Sequence, residues 1–170
     1  MPRYRRYFSP EDWVFVTLVT ADRRPWLRGA RSKRMLMETF HAVKRHHGYR
    51  HLAHVVLDDH LHWILIAPAS GSVARVVSSL KLSLIRRRRD AGLSWRWLWQ
   101  PRYYDHILRD ERDVKCHLDY IHYNPVKHGY ADAPRLYPWS SFQAWVQRGH
   151  YDQSWGETEP TTAAGLNYEG

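Results

Sequence analysis

The sequence predicts an α+β domain, from three observations. Four segments, 13–20, 51–57, 60–67 and 102–108, read as strands. Helical periodicity fills the gaps after the first and the third. Only Asp58-Asp59 separates the second from the third. Strand, helix, hairpin, helix, strand is the ferredoxin-like βαββαβ order, a split βαβ with an antiparallel sheet. A further helix follows it and carries a tyrosine.

The first strand, WVFVTLVT at 13–20, is β-branched and aromatic, which suits a pleated, half-buried surface. ADRRPWLRG follows as a loop. Ser32 is the expected cap of a helix to His47, with Leu36, Phe40 and Val43 on one face and Gly48 as its stop. HLAHVVL, Asp58-Asp59 and the segment from His60 to Ala67 form the hairpin, ended by Pro68. Ser72 caps a second helix, in which Val73, Val76, Val77, Leu80 and Leu84 recur at helical spacing. It runs through Arg86, Arg87, Arg88 and Arg89 and stops near Gly92. WRWLWQP is an aromatic turn, and RYYDHIL at 102–108 the fourth strand. Asp110 caps the third helix, which holds DVKCHLDYIHYNPVKHG. Residues 130–150 read as a loop and a short helix. The chain divides into one domain over 1–150 and a small, polar tail over 151–170, expected to be flexible.

Composition narrows the partners. With 170 residues and 44% hydrophobic side chains, one folded domain is expected. The 26 Lys and Arg outnumber 17 Asp and Glu, giving +9, and the pI is near 9.9. That favours a polyanion, most often nucleic acid. Nine Trp and eleven Tyr among the arginines suit base stacking as well as core packing. The single Cys116 excludes an internal disulfide framework and Cys-rich zinc modules and fits a reducing cytoplasm. No apolar run approaches a membrane span, and MPRYRRYFSPEDW has no apolar signal core.

His60 and His62 lie two apart at the start of the third strand, so their imidazoles point to one side. A metal ion, a phosphate or hydrogen bonding would each suit such a pair. The same strand offers Leu61, Trp63 and Leu65 to one face and Ile64 and Ile66 to the other. Both faces therefore need a cover. The crossover helices supply one, and the third helix is the natural cover for the other. On that helix Val114, Leu118 and Ile121 form an apolar stripe. Beside it lie Asp113, His117, Tyr120 and Asn124, at steps of three or four. Docked over the third strand, the helix brings Tyr120 toward the histidines. Two neutral imidazoles and an oxygen ligand can hold a divalent metal with open positions. Such a metal polarises a phosphodiester, which a tyrosine oxygen can attack to form a covalent protein–DNA ester. Equally, Tyr120 beside Ile121 suits simple packing at the edge of the core.

At these residues the chain resembles the REP-associated tyrosine transposases, a branch of the single-tyrosine HUH transposases related to those of small bacterial insertion sequences. The likeness runs from YRRYF to YPWSSF at 137–142. It rests on His60-Leu61-His62, on WQPRYYDHILRD at 99–110 and above all on DYIHYNPVKHGY at 119–130. The resemblance implies cleavage and joining of single-stranded DNA, dependent on Mg2+ or Mn2+, beside palindromic repeats that fold into hairpins. By the family's pattern Tyr120 is the nucleophile, yielding a 5′-phosphotyrosine and a free 3′-hydroxyl. His60, His62 and Asn124 match the metal ligands. The protein would work in the cytoplasm at the nucleoid, as a monomer or a homodimer.

Several residues keep two readings. Pro125 should kink or end the helix, so Asn124 faces a metal or caps the break. Tyr123 is the rival nucleophile, roughly 300° from Tyr120 on the wheel. His106 reads as structural or as a phosphate-side residue. Arg3, Tyr4, Arg5 and Arg6 form a basic arm that meets DNA at the hairpin foot or is a disordered tail. Arg86, Arg87, Arg88 and Arg89 track a DNA backbone or serve the helix dipole. Lys127 is placed to neutralise the scissile phosphate. The rival functions are a non-catalytic nucleic-acid binder and a relaxase or replication-initiator nickase.

Overall fold

The computed structural model describes residues 8–70, 72–94 and 96–168. Arg3, Tyr4, Arg5 and Arg6 lie outside them. Four strands, β1 (Trp13–Val19), β2 (Arg50–Val56), β3 (His60–Ile66) and β4 (Tyr104–Ile107), form one sheet in the order β2-β3-β1-β4. All neighbours are antiparallel. α1 (Ala30–His47) and α2 (Val73–Asp90) are the crossovers, α3 (Glu111–Lys127) follows β4, and α4 (Phe142–Gln147) lies near the C-terminal end. This is the α+β, ferredoxin-like arrangement with an added tyrosine-bearing helix.

β3 is buried along its whole length because both faces are covered. Leu61, Trp63 and Leu65 pack into one core with Leu36, Phe40 and Val43 of α1 and Val76, Leu80 and Leu84 of α2. Phe15, Val55 and Ile64 face the opposite way, into a second core with Leu118, Tyr120 and Ile121 of α3 and Trp145 of α4. Burying each of these large side chains contributes about 1.5–3 kcal/mol, so the sheet fixes where α3 sits. The free edge of β2 is covered by the chain after α3. Trp139 C=O accepts from Val56 N–H at 2.9 Å, and His54 C=O accepts from Ser141 N–H at 2.9 Å.

Three local expectations change. α1 begins at Ala30, ahead of Ser32, because Gly29 at φ 83 turns the chain and its carbonyl accepts from Lys33 N–H at 3.2 Å. The Ser32 hydroxyl instead meets Arg88 Nη1 at 3.2 Å. α3 does not end at Pro125 but runs on to Lys127. Past the proline its end is closed by Gly129 N–H to Val126 C=O at 3.0 Å and Tyr130 N–H to Pro125 C=O at 2.8 Å. Gly129 takes the left-handed conformation this motif requires, at φ 69. The tail packs on the domain as far as Tyr168. Ala163 is buried, and Tyr151, Leu166 and Tyr168 lie against the second core. Buried Asp119 holds the tail in place, accepting from Tyr151 Oη at 2.7 Å and Thr162 Oγ1 at 2.5 Å.

Candidate active site

The strand register builds the histidine pair. Val19 of β1 faces His60 and Thr17 faces His62. The Thr17 hydroxyl and His62 Nδ1 share a hydrogen bond of 2.8 Å. His60 Nδ1 donates to Asp59 Oδ1 at 2.7 Å, which fixes the tautomer and leaves a lone pair on Nε2. Asp59 is itself held by Arg23 at 3.0 Å. Burial works to raise the Asp59 pKa, but the bonds from His60 and Arg23 outweigh it and hold the carboxyl down to about 2. Burial, with His60, His128 and Lys127 nearby, pushes the His62 pKa well below the usual histidine value. His62 is therefore neutral at physiological pH. The Nε2 atoms of both histidines are buried with no hydrogen-bond partner. Their ring centroids are 5.0 Å apart.

α3 brings its tyrosine to this pair. The Tyr120 and His62 rings lie edge to face with centroids 5.0 Å apart. Tyr123 turns elsewhere: its ring borders Gly156, and Glu159 helps to raise its pKa after burial. Asn124, one turn on from Tyr120, is wholly buried. Neither its Oδ1 nor its Nδ2 has a hydrogen-bond partner. With the helix continuous through Pro125, Asn124 caps no break. Lys127 Nζ lies 5.1 Å from the centre of the Tyr120 ring and donates to Leu166 C=O at 3.0 Å.

A buried amide with both polar atoms unmet costs about 1–3 kcal/mol for each group. Asn124 lies one turn from the tyrosine that packs on His62, so its amide and the two unmet imidazole nitrogens form a candidate ligand set. Two imidazoles and an amide oxygen are the donor set for a divalent ion with open positions. The chain's residues thus fit a metal. A cleft of about 490 Å3 opens beside His60, with Arg23, Arg28 and His128 among its lining residues.

Some site residues carry no signal in the sequence. Thr17 and Asp59 orient the imidazoles, and His128 stacks its ring edge on His60 at 5.3 Å. Phe15 contacts His62 and Tyr120 at 5.5 and 6.2 Å. Tyr168 N–H donates to the Tyr120 hydroxyl at 3.3 Å. Of these only His128 lies in a motif, DYIHYNPVKHGY, and nothing in the sequence marks it as a neighbour of His60. His106 and His117 are bound into α3's first turns, since His106 Nε2 donates to Asp113 Oδ2 at 2.9 Å and His117 Nδ1 to Asp113 C=O at 2.8 Å. The arginine run divides. Arg86, Arg87 and Arg89 are exposed, but Arg88 turns inward and donates to Ser94 C=O at 2.8 Å and Trp26 C=O at 2.9 Å. Its guanidinium is committed to the fold, which corrects its expected place in a DNA-binding patch.

A sheet that carries a histidine pair under a tyrosine helix defines a class, the IS200-like transposases. That family's model matches residues 13–124. A REP-associated tyrosine transposase of Escherichia coli K12 is 32% identical over 97% of this chain and 97% of its own length. A Haemophilus influenzae protein, assigned provisionally to the same group, is 30% identical over 92% of this chain and 94% of its own. The solved structure of a REP-associated tyrosine transposase bound to a REP hairpin is 30% identical, with a TM-score of 0.78 over 95% of this chain and 96% of that one. The chain belongs to the family of REP-associated tyrosine transposases.

Proposed function

We propose that this protein cleaves and rejoins single-stranded DNA at REP-type palindromic hairpins through a 5′-phosphotyrosine on Tyr120. One observation carries the reading: Tyr120 lies against His62, in a buried site where the His60 and His62 Nε2 atoms have no partner. The DNA class follows from the family and from the hairpin held by the structural neighbour. The excess of 26 basic over 17 acidic residues suits it.

His60 and His62 through Nε2, and Asn124 through Oδ1, would hold Mg2+ or Mn2+. A divalent ion there supplies Lewis-acid polarisation of the scissile phosphodiester. The chain does the rest. Thr17 and Asp59 fix the two imidazoles, so the ligand atoms are set before the strand arrives. Tyr120 Oη attacks phosphorus, forming the tyrosyl ester as the bond to the 3′ oxygen breaks and leaves a 3′-hydroxyl. A free tyrosine has a pKa of about 10. Lys127 puts a cation beside the ring that must lose its proton. Attack on the ester by another 3′-hydroxyl restores a phosphodiester and frees Tyr120, so joining needs no nucleotide cofactor. Arg86, Arg87 and Arg89 would track the hairpin backbone, and Arg3, Arg5 and Arg6 with Tyr4 would meet the DNA at the hairpin foot. The place of work is the cytoplasm, at the nucleoid, as monomer or homodimer. Among the described residues no helix is long and apolar enough to cross a membrane.

The test is cleavage of a labelled hairpin with a single-stranded flank, and of its full duplex, with and without Mg2+ or Mn2+. We expect cutting of the single strand only, dependent on the ion. His62→Ala should abolish it while DNA affinity stays within a few-fold, since phosphate contacts dominate binding. Equal cutting of the duplex, or a His62→Ala protein that cuts normally, would overturn the reading.

A further inference from the structure

Trp97 stands out from the molecule. It is 85% exposed, and its backbone is left-handed at φ 56. Both features oppose stability, because a large indole sits in water and a side chain with a Cβ is strained at positive φ. Strain held in this way is characteristic of functional sites.

The segment that presents Trp97 is pinned. Leu98 and Trp99, directly after it, are buried. Leu98 C=O accepts from Ala21 N–H at 3.1 Å, and Val19 C=O accepts from Gln100 N–H at 2.9 Å. Lys81 Nζ donates to Gln100 C=O at 2.8 Å and Arg102 C=O at 3.3 Å. The loop bonded to it through Ala21 is strained as well, with Asp22 at φ 53 and Arg23 at φ 49. Arg23 holds Asp59, which holds His60. Three of the four left-handed non-glycine residues described thus meet on two joined loops beside the histidine pair. Arg23 and Arg28 line the cleft that opens at His60.

We propose that Trp97 is a stacking platform for one unpaired nucleobase of the DNA strand that enters the His60 cleft past Arg23 and Arg28. The site rests on the reading that this chain binds single-stranded DNA. Its ligand is the face of a base, which a duplex hides and a single strand displays. Arg23 and Arg28 pair with Asp59 and Asp58 of the same cleft, and each guanidinium has further N–H donors that would take a phosphate of the strand whose base the indole holds.

The experiment measures binding of a labelled hairpin with a single-stranded flank to the full-length Tyr120→Phe protein, with and without changes at Trp97. Trp97→Ala should weaken binding roughly ten-fold or more, and Trp97→Phe by only a few-fold. The slope of log affinity against log salt should stay the same, because every phosphate keeps its cation. An abasic scan of the flank should find one position where the loss seen with Trp is absent with Ala. Trp97→Gly should bind as weakly as Trp97→Ala yet melt at a higher temperature, because glycine accepts positive φ. Unchanged affinity of Trp97→Ala would overturn the proposal. So would a loss tied to no base position, or shared by the duplex, which would place a different partner on this surface. Affinity is read without cleavage, so a failure of the nucleophile assignment leaves this test intact.

Discussion

Each histidine of the pair uses one ring nitrogen on the fold and leaves the other for the site. Thr17 is the residue where this division is most exposed to test. Thr17→Val keeps the shape but leaves His62 Nδ1 unpaired in a buried position, at a cost of about 1–3 kcal/mol. A loosened ligand should also lower affinity for Mn2+ by about 10–100-fold. Urea denaturation and calorimetric titration with Mn2+ measure the two effects, and no change in either would remove Thr17 from the site. The histidines and Tyr120 are legible in the sequence because spacing on one strand and one helix is enough to place them. Thr17 is not, since it lies 45 residues from His62 and meets it only through the register of β1 and β3. Arg88 shows the opposite limit. A run of four arginines reads as one patch, but a helix turns each residue by about 100°, and one of them faces the core.

At the scale of elements, α3 and the tail matter most. The helical stripe of Val114, Leu118 and Ile121 makes the docking of α3 legible, and the cover needed by β3 supplies its partner. The end of α3 is not legible at Pro125, because the Gly129 motif that rescues the last turn lies beyond the proline. The tail, small and polar, reads as flexible, yet a few anchors hold it over the tyrosine. The bond from Tyr168 N–H to the Tyr120 hydroxyl engages a lone pair of the oxygen that would attack phosphorus and so lowers its nucleophilicity. A hydrogen bond of this kind contributes about 0.5–1.5 kcal/mol. Deleting residues 160–170 should therefore raise the rate of adduct formation about two- to ten-fold, while lowering the melting temperature. Single-turnover cleavage measures the first effect, and a slower reaction would give the tail a constructive role in catalysis.

Over the whole molecule two charge effects should be visible. Burial, with neighbouring histidines, holds His54 down to about 4 and His122 down to about 3. The unfolded chain takes up these protons below about pH 6.5, and the folded chain does not. The stability they confer is therefore whole above about pH 6.5 and is lost as pH falls toward 4 and 3. Urea midpoints should drop between pH 7.5 and 5, and His122→Asn should show a shallower drop. An equal drop would move the effect to other groups. The second effect is salt dependence. Replacing Arg86, Arg87 and Arg89 by alanine should flatten the slope of log affinity against log salt by about 0.7–0.9 for each phosphate left without its cation. An unchanged slope would leave those residues to the helix dipole and to their pairs with Glu38 and Asp90.

The central claim is that Tyr120 forms the covalent bond to DNA, and a denaturing gel of the protein after incubation with a labelled hairpin strand and Mn2+ tests it most directly. Tyr120→Phe removes one hydroxyl and keeps the ring against His62, so the fold should persist. The account expects a protein–DNA adduct from the wild type and from Tyr123→Phe, and none from Tyr120→Phe. An adduct that survives in Tyr120→Phe would contradict it.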